Sequence, residues 1–116
     1  MNEIDYAARV QRGAALLDKK WPTWAQDIDL DRLDIKSTTS CMTAQYAGSQ
    51  GEEPYFVTGQ EMLDLDNRAY ELHGFNADGD SSGENWHEGG YPILNRLWRE
   101  LIIQRREAAQ PEASER

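Results

Sequence analysis

The sequence predicts an all-α fold: a small single-domain bundle of about five short helices, with a long glycine-rich loop before the C-terminal helix. Three observations carry this reading. Apolar side chains recur at spacings of three and four near both ends of the chain. Only two Val and five Thr occur among 116 residues, whereas strands favour β-branched side chains. No stretch alternates apolar and polar residues for six positions. Residues 1–107 are expected to form the domain, and 108–116 a polar tail that stays disordered.

The first helix starts at Asn2, a good N-cap, with Asp5 at the third helical position. Ala7, Val10, Ala14, Leu17 and Trp21 then define one buried stripe. Lys19 and Lys20 suit a helix C-terminus, and Pro22 stops the helix. The small residues Ala7, Gly13 and Ala14 would let another helix approach closely. From Trp21 to Lys36, the apolar Trp24, Ile28, Leu30, Leu33 and Ile35 are punctuated by Asp27, Asp29, Asp31 and Asp34. Asp is poor in strands and good at caps, so short helical turns wrapped on the core are expected.

Ser37 to Ser40 offer N-caps for a short helix carrying Cys41, Met42 and Tyr46, closed by Gly48. Pro54 suits the first turn of the next helix, with Tyr55, Phe56, Met62 and Leu63, and Gly59 weakens its middle. Asp66 caps another short helix through Ala69, Tyr70 and Leu72, and Gly74-Phe75 fits a Schellman ending. Residues 76–90 hold four of the nine glycines, and Trp86 is their one large apolar side chain. Tyr91-Pro92 opens the clearest helix, lined by Leu94, Leu97, Trp98, Leu101 and Ile102. Its four arginines, Arg96, Arg99, Arg105 and Arg106, are expected on a solvated face.

Charge narrows the function classes. The chain carries 12 Lys and Arg against 21 Asp and Glu, a net charge of −9. Most of that excess falls between residues 27 and 88, which would repel phosphates and anionic lipid. Nucleic acid and membrane surfaces are therefore disfavoured as partners, and a basic protein is allowed. The longest aliphatic runs, Ala14 to Leu17 and Leu101 to Ile103, are far too short to span a bilayer. The acidic start, Asn2-Glu3-Ile4-Asp5, is unlike a signal peptide, so a cytoplasmic protein is expected.

Arg12-Gly13-Ala14, Leu17-Asp18, Pro22, Trp24, Ile28-Asp29, Leu33-Asp34-Ile35 and Cys41 together resemble a group of small uncharacterised proteins. These are encoded by actinobacteria and by the tailed phages that infect them. The closing Tyr91-Pro92 and Leu97-Trp98-Arg99-Glu100-Leu101-Ile102 are similar to the end of the same group. The anchors cover roughly two thirds of the chain. The resemblance implies a phage or mobile-element setting and carries no catalytic residue.

Few constellations carry chemistry. Asp78-Gly79-Asp80-Ser81-Ser82-Gly83 matches the first half of an EF-hand loop, where calcium would take oxygens from Asp78, Asp80 and Ser82. The second half departs from the pattern, with Asn85 at position eight and Gly89 where the bidentate Glu belongs. His87-Glu88 begins like a zincin motif, but Tyr91 replaces the second His. Cys41 is the only cysteine, so no disulfide forms, and a buried, inert thiol is expected. No nucleophile elbow, P-loop or dinucleotide fingerprint occurs.

These readings converge on a non-enzymatic interaction protein with no cofactor, monomeric or weakly dimeric. It would bind a host or phage protein through Trp86, His87 and Glu88 together with Asp29 and Asp31. One alternative is a small calcium-binding domain built on Asp78, Asp80 and Ser82. Another is a DNA mimic, whose acids from Asp27 to Asp34 and from Glu61 to Glu71 would share one face.

Overall fold

The computed structural model describes residues 3–76 and 90–109. Six helices follow one another: α1 (Glu3–Lys20), α2 (Trp24–Asp27), α3 (Met42–Ser49), α4 (Phe56–Met62), α5 (Asn67–Leu72) and α6 (Tyr91–Ala108). No strand occurs among the described residues. The fold is all-α; α1 and α6 have 18 residues each, and α1 spans the segment expected between Asn2 and Lys20.

The long helices build the frame. In α1, Glu3 and Asp5 occupy the first turn and Lys19 and Lys20 the last, so charge complements the helix dipole at both ends. Its buried stripe is Tyr6, Val10, Gly13, Ala14 and Leu17. Tyr6 replaces the expected Ala7 because its longer ring reaches the start of α6, where it lies under Gly90. A Cβ at Gly90 would sit 2.2 Å from the Tyr6 hydroxyl. In α6, Leu94, Trp98, Leu101 and Ile102 are buried, and Pro92 sits in the first turn, where its missing N–H costs nothing. Ion pairs Glu3–Arg96 and Asp18–Arg105 join start to start and end to end, so α1 and α6 run in the same direction.

Gly13 is where the frame closes most tightly. A Cβ there would come within 2.1 Å of the His73 carbonyl and 3.0 Å of the Trp98 ring. The core continues as an aromatic series. Trp24 meets Trp98 edge to face at 5.7 Å, and Trp98 stacks on Phe75, also at 5.7 Å. Each described indole N–H is satisfied: Trp21 donates to Asp27, Trp24 to Asp18 and Trp98 to the Gly74 carbonyl.

Between α2 and α3 the backbone has no helix to satisfy it, and side chains from elsewhere do so instead. Asn95 accepts from the Ile35 N–H at 2.7 Å. Arg99 donates to the Leu33 carbonyl at 2.8 Å. Arg106 donates to the carbonyls of Ala25 (2.7 Å) and Ile28 (2.5 Å). Gln45 of α3 accepts from the Asp29 N–H and donates to the carbonyls of Asp29 and Ser40. The α6 arginines are thus not a solvated face: Arg99, Arg105 and Arg106 are half-buried, and all four bond to the protein's own groups.

Local chemistry sets the remaining ends. Ser37 caps its own turn, accepting from the N–H groups of Thr39 and Ser40. Cys41 therefore takes the N-cap of α3, without a side-chain bond. Gly51, at φ +83°, follows the end of α3, where Gly48 was expected to close it. Pro54 precedes the N-cap Tyr55 and lies outside α4. Gly59 is buried against α3, with an added Cβ only 2.0 Å from the Thr43 carbonyl; helix crossing explains this glycine. Asp66 caps α5 by accepting from Ala69 N–H at 2.7 Å. Gly74 (φ +75°) ends α5, with Phe75 N–H reaching the Tyr70 carbonyl and Gly74 N–H that of Glu71. That pair of bonds is the expected Schellman ending.

Candidate functional site

A half-open cleft of about 210 Å³ lies among the described residues. Its lining includes the turn from Ile35 to Thr38 and three rings, Phe56, Phe75 and Tyr91. Cys41 and Tyr70 lie at its base, and Asn76 lines it beside Phe75. The helix ends place these groups. Cys41 is the N-cap of α3, Phe56 the first residue of α4 and Tyr91 the first of α6. The Schellman turn after α5 carries Phe75 inward.

Beneath the cleft runs a chain of neutral polar groups. The Cys41 sulfur lies 3.6 Å from the Thr43 hydroxyl and 3.9 Å from that of Tyr70. The Tyr70 and Thr43 hydroxyls are 2.6 Å apart. Thr43 also donates to the Phe56 carbonyl at 3.4 Å. Since Thr43 has one proton and gives it to Phe56, Tyr70 is the donor to Thr43. Burial pushes the Tyr70 hydroxyl above its ordinary titration range, and the neighbouring Cys41 adds to that shift. The Tyr70 hydroxyl therefore keeps its proton at neutral pH. Cys41 is 1% exposed, as the sequence predicts, and its partners are hydroxyls that cannot act as a base for it. His73 is engaged elsewhere: its Nδ1 meets the Ala69 carbonyl at 2.7 Å, and its ring stacks on Phe75.

The side-chain oxygen of Asn76 is buried and has no hydrogen-bond partner. An unsatisfied buried acceptor is costly, so Asn76 is the one lining residue whose chemistry asks for a further group. Sequence reading missed this site. Cys41, Thr43, Tyr70 and Asn76 carry no motif, and Cys41 and Tyr70 meet across 29 positions of sequence.

Of the residues expected to act, Trp86, His87 and Glu88, and the calcium candidates Asp78, Asp80 and Ser82, lie outside the described residues. Asp29 and Asp31 are exposed on the turn after α2, where the Asp29 carboxylate accepts from the Asp31 N–H at 3.1 Å. Four neighbouring acids are used locally. Asp27 accepts from Trp21 and Thr23, Asp34 from Lys36 N–H and Asn95, Asp66 from Ala69 N–H, and Glu71 pairs with Arg9. Asp31, Glu52, Glu53, Glu61 and Asp64 are exposed and make no side-chain bond among the described residues. No group of three potential metal ligands occurs among those residues, and no described helix is long and apolar enough to cross a membrane.

Comparison with known proteins adds no relative: no protein-family profile, no curated protein and no solved structure matches the chain.

Proposed function

We propose that the protein is a non-enzymatic accessory protein of phage or mobile-element origin that works by binding another protein. The observation that carries the binding part is where the cations go. All four arginines of α6 are committed to the protein's own carboxylates and carbonyls, while acids such as Asp31, Glu61 and Asp64 face solvent. With a net charge of −9, the outward field favours a basic partner and opposes nucleic acid. Asp29 and Asp31, with Trp86, His87 and Glu88, are the residues assigned to that contact. The phage setting rests on the sequence resemblance alone.

The test is capture from the native host at low salt by wild-type protein and by a triple variant, Asp31→Lys, Glu61→Lys and Asp64→Lys. The reading expects a basic protein that wild type retains, that the variant loses and that salt releases. Equal retention by both would overturn the electrostatic part of it. Saturable heat on titration with calcium would move the function to Asp78, Asp80 and Ser82.

A further inference from the structure

We propose that the cleft between the Ile35–Thr38 turn and the start of α6 binds a small neutral aromatic ring bearing one N–H or O–H donor. Size comes first. A cavity of about 150 Å³ suffices for benzene, so the 210 Å³ here takes one ring or a fused pair. Shape and surface come next. Phe56, Phe75 and Tyr91 offer aromatic faces and edges, which favour another ring over an aliphatic group. The turn from Ile35 to Thr38 adds the hydroxyls of Ser37 and Thr38 and one cation, Lys36.

Charge then excludes most alternatives. Among the described residues the lining holds no Asp or Glu, so a cationic amine finds no counter-ion there, and a single Lys36 is too little for a phosphate. The donor requirement follows from Asn76, whose buried oxygen accepts nothing from the described residues. A ligand N–H reaching that oxygen would remove an existing penalty as well as form a bond. This inference stands apart from the protein-binding proposal and survives its failure.

Indole is the probe. Titrated into isotope-labelled full-length protein, it should give saturable resonance shifts at Phe56, Phe75, Tyr91 and the Asn76 amide. A dissociation constant of about 1 mM is expected for a ligand of this size. On the same protein 1-methylindole, which lacks the N–H, should bind about tenfold more weakly. Thr38→Trp, which fills the cleft from its rim, should abolish the shifts. Non-saturable shifts, or equal binding of the two indoles, would overturn the proposal without any variant. Binding confined to a Trp86→Ala variant would also overturn it, because the chain's own indole would then be the occupant.

Discussion

The frame helices and the turn segment between α2 and α3 solve the same problem in opposite ways. Along α1 and α6, backbone groups satisfy one another within the helix, and side chains are left to pack. Residues 28–40 have no such ladder; backbone turns and local caps from Asp29, Asp34 and Ser37 satisfy part of the segment, and Asn95, Arg99, Arg106 and Gln45 supply further partners. Helix α6 therefore serves two roles, packing with one face and holding foreign backbone with another. Net charge and apolar periodicity describe the first role only. The second explains how a chain with so few aliphatic residues orders a long non-helical stretch that lines part of the cleft.

The largest expected effect breaks the frame. Trp98 is fully buried, stacks on Phe75 and donates to the Gly74 carbonyl at 2.7 Å. Trp98→Ala should cost about 4 kcal/mol, seen as lowered denaturant and thermal midpoints. A loss below about 1 kcal/mol would mean that the frame does not hinge on this ring.

A smaller effect should break the borrowed backbone alone. Arg106→Met keeps the aliphatic stem and strips two charge-assisted bonds, to the Ala25 and Ile28 carbonyls. About 2 kcal/mol of stability should go, with faster amide exchange spreading through residues 25–35 before α1 changes. Uniform acceleration across the chain would show instead that the segment and the frame open as one unit.

How much of this was legible in the sequence follows the same division. The stripe in α6, the Asp66 cap and the Gly74 ending were readable because each signal lies within one turn of its effect. The Trp21-to-Lys36 stretch showed its apolar anchors, and Ile28, Leu33 and Ile35 are indeed buried. Its fastenings did not show, because Asn95 lies 60 residues from Ile35 and Arg106 78 from Ile28. An arginine on a helix looks the same in sequence whether it meets water or a carbonyl. Gly59 misled for a similar reason: its helix-weakening effect is local, whereas the Thr43 backbone that requires it is a distant contact. The cleft was invisible, since it forms where four helix ends meet. Trp86 and the Asp78 to Ser82 loop lie outside the described residues, so their roles rest on sequence.

Asn95 sharpens the comparison at one bond. Its oxygen accepts from Ile35 N–H, and its nitrogen faces the Asp34 carboxylate at 3.4 Å. Asn95→Leu should cost about 1.5 kcal/mol, because the Ile35 donor is left without its partner. Asn95→Asp keeps the acceptor but places a second carboxylate beside Asp34. Its deficit should therefore shrink as added salt screens the two carboxylates, which stability measured over a range of ionic strength would follow. A deficit unchanged across that range would remove Asp34 from the account.

The smallest effect tests whether charge or packing joins the far ends of the frame. Arg105 donates twice to Asp18, at 2.8 and 3.2 Å, and lies 5.5 Å over the Trp24 ring. The Arg105 bond holds the Asp18 carboxyl below its ordinary 3.8; partial burial opposes this, and the Trp24 N–H assists it. A folded-state value below the unfolded one stabilises the protein above about pH 3.8 and loses that effect as pH falls through the lowered value. The Asp18 side chain is 44% exposed, so solvent screening holds the contribution to roughly 0.5 kcal/mol. Asp18→Asn retains an oxygen for the Trp24 N–H and removes the charge. Wild type should therefore exceed the variant by a constant margin from pH 7 to pH 5, and that margin should shrink as pH falls below 3.8. A margin that does not shrink in acid would assign the contact to the Arg105 stem packed on Trp24 rather than to the ion pair.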